Sequence, residues 1–474
     1  MKSRLIKRRH FLGLTLGLGL SSFSSRLKGN SSTKVPSVLI LGAGLSGLYS
    51  ALLLERAGFL VTILEGRDRI GGRIHTLKDL PGSPEAGAQG LSNLYSRLLS
   101  LGSRYGIQFQ RRQRSARAKI LFYIDGKVVS PAQWASSDVN QLSQAEKHIL
   151  PPRLMTHYLR PNNPLQNRED WISSQYWQLD ISLADYLKSQ GASDEALRLM
   201  NVYPFSMNQI DSASALWGLR NDLLSQNPTS KPMRIIGGNS LLPETLAANL
   251  SSSIYLRKII EEIRSSSEQV TVYCSDGSSY SADYALCTLP FSILRQIKID
   301  PPIKGKQKEA VNNLPYTRVT QVYLSFKSPL KTRENIPLRL WSDSILEQIF
   351  PVKDEQGKVK GLTIWANGDN ADRLDCLSTR QISQVVKSQL AKINPDLTNM
   401  VDIKRVTTWG SDPFSLGAYS HFAPGQISQF SNIMARPWQR IYFAGEHTGI
   451  IAPGMEKALE SAERAIQELL AIVR

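Results

Sequence analysis

The chain has 474 residues, 57 Lys and Arg against 40 Asp and Glu, a net charge of +17 and 41% hydrophobic residues. That length supports two or three domains with sizeable cores, and the apolar content is ordinary for a globular protein. No run approaches the roughly 20 apolar residues of a membrane span. Three cysteines (Cys274, Cys287 and Cys376) in no paired spacing exclude a disulfide framework, and six scattered histidines argue against a metal site. No nucleic-acid recognition motif accompanies the positive charge.

In chain order, Lys7-Arg8-Arg9-His10-Phe11-Leu12 and the apolar run to Leu20 read as a twin-arginine (Tat) export signal, with a Ser-rich linker at Ser21–Ser32. Export to a periplasm or thylakoid lumen follows as the expectation. Ser22-Phe23-Ser24 is only a weak substitute for an A-x-A cleavage site, so an uncleaved segment could tether the protein to a membrane. Part of the net charge sits here, in Lys2, Arg4, Lys7, Arg8, Arg9, Arg26 and Lys28. A second cluster, Arg111, Arg112, Arg114, Arg117 and Lys119, reads as a solvated basic face or a peripheral contact with an anionic membrane.

Val38-Leu39-Ile40-Leu41 is a strand that enters a glycine turn, Gly42-Ala43-Gly44-Leu45-Ser46-Gly47, and then a helix running to Ala57 and stopping at Gly58. Gly42 permits the turn, Gly44 admits a pyrophosphate to the backbone, and Gly47 lets helix and strand pack. The diphosphate then rests on free N–H groups at the helix N-terminus, beside Leu45 and Ser46. A second strand, Val61–Leu64, ends at Glu65, placed to accept the ribose hydroxyls. The loop that follows supplies Gly66, Arg67, Gly72 and Arg73, which can wrap a second anionic stretch, with Arg73 pairing phosphate in a bidentate manner. Near the end of the chain, Ile441–Phe443 leads into Ala444, Gly445, Glu446, His447 and Thr448, a second turn with a carboxylate. The two stretches together point to a flavin rather than a nicotinamide.

Three blocks, Val38–Arg73, Ala282–Pro302 and Trp409–Ala465, make the chain similar to the flavin amine oxidase family of monoamine, polyamine and L-amino acid oxidases. The resemblance covers most of residues 35–474. It implies an α/β fold: a Rossmann-like FAD-binding domain interleaved with an α+β substrate-binding domain. Residues 35–95, 232–300 and 405–474 would form the first, 96–231 (mostly helical) and 301–404 the second, after a signal and linker at 1–34. Ile260 would pack on the adenine. The family chemistry is transfer of a hydride equivalent from the substrate α-carbon to flavin N5, giving an imine that water hydrolyses.

The family pattern is only partly kept at the expected catalytic positions. Trp409 is retained, and Gly417-Ala418-Tyr419 matches a Gly-Cys-Tyr sequence, so Tyr419 would line the flavin while Ala418, lacking a thiol, implies non-covalent FAD. Pro453-Gly454-Met455-Glu456 puts Gly454 where relatives carry a cage aromatic, leaving more room, with Met455 N–H facing the flavin. Gln321 aligns with a lysine that assists reaction with oxygen, so a quinone-like acceptor, or oxygen less efficiently, is expected. The substrate would be a small amine or amino acid. The expectation is oxidative deamination of L-amino acids, the basic ones among them, to 2-oxo acids and ammonia, although Glu85–Gly90 offers no carboxylate-binding arginine. Monoamine or polyamine oxidation, a desaturase of the carotenoid or protoporphyrinogen type, and a non-catalytic FAD scaffold stay open as alternatives.

Overall fold

A computed structural model describes residues 35–112, 120–204, 207–329 and 338–473. The Tat-type segment at 1–34 and Arg114, Arg117 and Lys119 of the basic cluster lie outside the described residues. Residues 36–474 form one compact unit.

The first strand, β1 (Ser37–Leu41), is apolar on both faces because both are covered, as a central parallel strand requires. It passes through the glycine turn into helix α1 (Leu45–Arg56) and returns as β2 (Leu60–Leu64), parallel to β1 from Ser37↔Leu60 to Leu41↔Leu64. Three distant strands complete the sheet: β3 (Ser253–Tyr255), β4 (Tyr284–Cys287) and β5 (Ile441–Phe443). The order is β5-β4-β1-β2-β3, all parallel. Alternation along the strands divides the two cores. Val38, Ile40, Val61 and Ile63 join Leu48, Leu52 and residues Leu459 and Ile466 of the final helix, α2 (Gly454–Val473). Leu39, Leu41, Leu64 and Cys287 face Ile263, Val270 and Val272 of a four-stranded sheet on the other side.

A seven-stranded sheet builds the second half of the molecule. Its order is 401–408, 319–326, 359–367, 348–353, 339–342, 120–124 and 127–129. The helix Thr379–Ile393 covers it with Ile382, Val386, Leu390 and Ile393, spaced three and four apart on one face. Each such side chain contributes about 2 kcal/mol by leaving water. Ser378 and Gln381 form a reciprocal capping box that fixes where this helix starts.

Two details depart from the reading of the sequence. Residues 96–231 are not simply helical, because the hairpin Ile120–Ile124 and Lys127–Val129 joins the seven-stranded sheet through Arg339–Ser342. The strand Val401–Thr408 runs across the expected boundary at 405 and pairs with Val319–Phe326 in that same sheet. Apolar strands short enough to be mistaken for helical turns explain the first departure. In the second, no turn residue marks the boundary.

Candidate active site

A cavity of about 1120 Å³ runs from the glycine turn to the helical layer. It exceeds the usual size of a small-molecule pocket and suits a dinucleotide with a small substrate beside it. Gly42, Gly44, Leu45 and Ser46 line its diphosphate end. Two glycines there have different reasons for being glycine. A Cβ on Gly47 would lie 2.0 Å from the Gly42 carbonyl oxygen, so Gly47 is dictated by helix–strand packing, and it does not line the cavity. A Cβ on Gly44 would meet no protein atom within 4 Å. The fold therefore does not demand glycine at 44, but a diphosphate resting on the uncapped N-terminus of α1 does.

Glu65, buried at the end of β2, accepts the Ala43 N–H at 2.8 Å and the Arg67 N–H at 2.9 Å, one on each carboxylate oxygen. Both oxygens keep lone pairs for ribose hydroxyls, and the two N–H groups fix their direction. Gly66, Gly72 and Ile260 line the same end. The arginines of the following loop reach protein carboxylates. The Arg67 guanidinium grips Asp412 bidentately at 2.7 and 2.8 Å and lies over the Phe414 and Trp409 rings. Arg73 donates to Glu446 at 2.9 Å and to the Ala418 carbonyl at 3.1 Å. Both line the cavity, but as struts joining the first motif to the last rather than as free phosphate ligands.

Gly445 and Glu446 lie on the wall beside them. Glu446 accepts from Arg73, from the Ser420 N–H and from the Ser420 hydroxyl. Burial works against its ionisation, but Arg73 and Lys457 prevail and hold its carboxyl below the usual range. His447 next to it is buried on Phe291, ring centroids 4.4 Å apart, and neither ring nitrogen has a hydrogen-bond partner among the described residues. Burial pushes its imidazole down to about 3. A lowered histidine stabilises the fold fully above its unfolded value near 6.5, and the contribution is lost as pH falls from there toward about 3. The urea midpoint is therefore expected to drop between pH 6.5 and 4, and the His447→Leu variant to show a shallower decline. An unchanged slope in the variant would remove His447 from the account.

Tyr419 and Trp409 also line the wall. Tyr419 is held by a short antiparallel pairing, Thr317↔Tyr419 and Tyr316↔Ser420. Burial, and then Tyr203 and Glu347, raise its phenol well above the ordinary value, so it stays protonated. Trp409 donates its indole N–H to the Ala86 carbonyl at 2.6 Å. Gln321 is not in the wall. It is fully buried in the seven-stranded sheet, accepting from the Tyr323 hydroxyl at 2.8 Å, opposite Trp365, which does reach the cavity. Met455 and Gly454 open α2 at the wall, Gly454 at a left-handed φ of 53°. The extra room expected at Gly454 is taken up: a Cβ there would stand 2.9 Å from the Tyr95 hydroxyl.

The sequence reading missed Tyr95, Arg220, Asn221 and Lys457, all on this wall. One signal was available for Lys457, a cation next to Glu456 in the first turn of α2. Arg220 and Asn221 lie within Ala215–Ser225, an unremarkable helix whose position only the tertiary fold supplies. Among the described residues, no group of three or more His, Cys, Asp or Glu could hold a metal ion, and no helix is long and apolar enough to cross a membrane.

A family model for flavin containing amine oxidoreductases matches residues 45–470. The chain belongs to that family, which implies a flavin cofactor, and the cradle at Gly44, Glu65 and Glu446 fits FAD. Polyamine oxidase 4 of Oryza sativa subsp. japonica is 26% identical over 459 residues, 92% of this chain and 89% of the relative. An L-amino-acid oxidase of Siganus canaliculatus is 25% identical over 459 residues, 90% and 84% of the two chains. A triple mutant of putrescine oxidase superposes with a TM-score of 0.78 at 20% identity, over 92% of this chain and 99% of that one, a likeness of fold.

Proposed function

We propose that the protein is an FAD-dependent oxidoreductase that deaminates L-amino acids to 2-oxo acids and ammonia. One observation carries the reading: cations outnumber carboxylates in the cavity wall. Arg97, Arg112, Arg168, Arg220 and Lys457 reach it. Of the carboxylates on the wall, Glu456 is committed to the N–H groups of Arg97 and Leu98 and to the Arg97 side chain, and Glu446 to Arg73 and Ser420. Such a wall attracts a carboxylate and repels a polycation. It supports an amino acid over the polyamine named for the rice relative, and it opposes the basic side chains expected from the sequence.

FAD, when bound, supplies the two-electron acceptor for the substrate Cα–H bond. The side chains bind, orient and exclude water. Tyr419, Tyr203 and Trp217 offer aromatic walls against which the reacting carbon is held, and the raised phenol of Tyr419 adds no charge there. Retained Trp409 and Tyr419 favour amine chemistry over desaturation. Under anaerobic conditions, L-amino acids are expected to bleach the bound flavin, while putrescine and spermidine leave it oxidised. Bleaching by the diamine alone would overturn the reading.

Three further parts belong to the same proposal. FAD is held non-covalently, because Ala418 offers no thiol; acid precipitation is expected to leave the yellow cofactor in the supernatant and a colourless pellet. The electron acceptor is quinone-like or oxygen; Gln321, lying behind the wall, does not decide between them. Export by the twin-arginine route, with peripheral membrane contact, rests on Lys7–Leu12 and the basic surface.

A further inference from the structure

Four residues of the cavity wall carry a buried side-chain polar atom with no hydrogen-bond partner among the described residues: Arg220 Nε, Asn221 Nδ2, Lys457 Nζ and Trp365 Nε1. All four are N–H donors. Buried polar groups are paired as a rule, so a wall that leaves only donors unpaired is complementary to an acceptor. Three of the four stand together. Arg220 and Lys457 share the Trp217 ring, at 4.9 and 5.0 Å from its centroid. Asn221 is adjacent to Arg220, and its amide orientation is set locally: Oδ1 accepts from Arg220 Nη1 at 3.2 Å, which leaves the NH2 group as the unpaired end.

The nearby carboxylates act on both cations through their charge but accept no hydrogen bond from the unpaired nitrogens. Glu446 is engaged by Arg73 and Ser420, and Glu460 accepts the N–H groups of Ile450, Ile451 and Ala452. Neither makes an ion pair with Lys457 within the described residues. Arg220 is anchored through Nη2 to the Ile450 and Ala452 carbonyls, so its place does not depend on a direct ion pair. Lys457 is 3% exposed, and burial with Arg220 close by lowers its ammonium to about 8. An unpaired buried cation is costly. An anion arriving in the cavity would relieve that cost at two cations and an amide at once.

We propose that Lys457, Arg220 and Asn221 form the subsite that takes the carboxylate of the substrate. The assignment rests on the amino-acid reading above and supplies the receptor that Glu85–Gly90 lacks. Arg220 presents a planar fork, Lys457 a compact charge and Asn221 a directed N–H, which together suit the two oxygens of one carboxylate.

The test uses FAD-loaded enzyme and benzoate, a carboxylate with no oxidisable amine, read by the perturbation of flavin absorbance; benzamide is the neutral control. Lys457→Met is expected to weaken benzoate by about 30-fold or more and to leave benzamide unchanged, and Lys457→Arg to recover most of the loss. Asn221→Leu, a milder change that keeps both cations, is expected to weaken benzoate about 5-fold, the effect of one hydrogen bond. Equal benzoate affinity in wild type and Lys457→Met would overturn the assignment. So would a Lys457→Met protein that keeps its benzoate affinity but loses FAD or sulfite affinity, since the cation would then serve the cofactor. Benzoate binding as expected, with no amino acid bleaching the flavin, would keep the subsite and sink the amino-acid reading instead.

Discussion

Gly44→Val is expected to give a folded protein that no longer holds flavin. The side chain would enter the cavity at the N-terminus of α1, where no protein atom stands within 4 Å of the new Cβ, so packing is undisturbed. It would occupy the place where a diphosphate meets the free N–H groups, and affinity for FAD should fall by about 1000-fold, the loss of several charge-assisted hydrogen bonds. Gly47→Val is the matched control. Its Cβ would stand 2.0 Å from the Gly42 carbonyl, and the fold itself should fail. Circular dichroism and flavin content measured on both variants separate the two roles. A Gly44→Val protein that keeps stoichiometric FAD would show that the diphosphate lies elsewhere.

Asp412→Ala is expected to destabilise the protein by about 3 kcal/mol, because it leaves the Arg67 guanidinium buried without its counter-charge. The pair is well enclosed, with side chains 10% and 20% exposed, and the contact is bidentate. Burial works against ionisation of Asp412, and Arg67 and Ser415 overcome it, so its carboxyl lies below the usual value. With a lowered carboxylate, the stabilisation is present above the unfolded value near 3.9 and is lost as pH falls through the folded one. FAD affinity should fall as well, since Phe414 rests on Arg67 and lines the ribose end. Urea denaturation of the single variants and of the Arg67→Met/Asp412→Ala double variant gives the coupling energy. A coupling below about 0.5 kcal/mol would reduce the strut to a surface pair.

The nucleotide half of the site was legible in the sequence because its chemistry is local. Strand, glycine turn, helix, strand and carboxylate follow one another within Ser37–Glu65, and backbone geometry alone assigns Gly42 and Gly44 their work. Arg73 was expected to pair phosphate, and Arg67 to belong to a loop wrapping an anionic stretch, because their partners, Glu446 and Asp412, lie more than three hundred residues away. The substrate half resisted for the same reason. Arg220 and Lys457 meet over Trp217 only when the Ala215–Ser225 helix lies against the start of α2, and no periodicity reports that meeting. Gly454 shows the limit of matching positions singly. A missing side chain at one place is answered by Tyr95, from another element. Gln321 aligned with an active position and shares a sheet face with its cross-strand partner Trp365, yet only Trp365 reaches the cavity, so the face of a strand does not by itself place a residue in the wall.

The strand order also dictates a sequence of events during synthesis. β1 is made before the other strands of its sheet, whereas β5, its neighbour but one in the sheet, is completed about 400 residues later. At roughly 5–20 residues per second, the glycine turn therefore waits on the order of a minute or less for Glu446 and α2 to arrive. A nascent chain can hold the cofactor only weakly until then. A flavin gripped by both motifs would report that two segments made far apart in time have met.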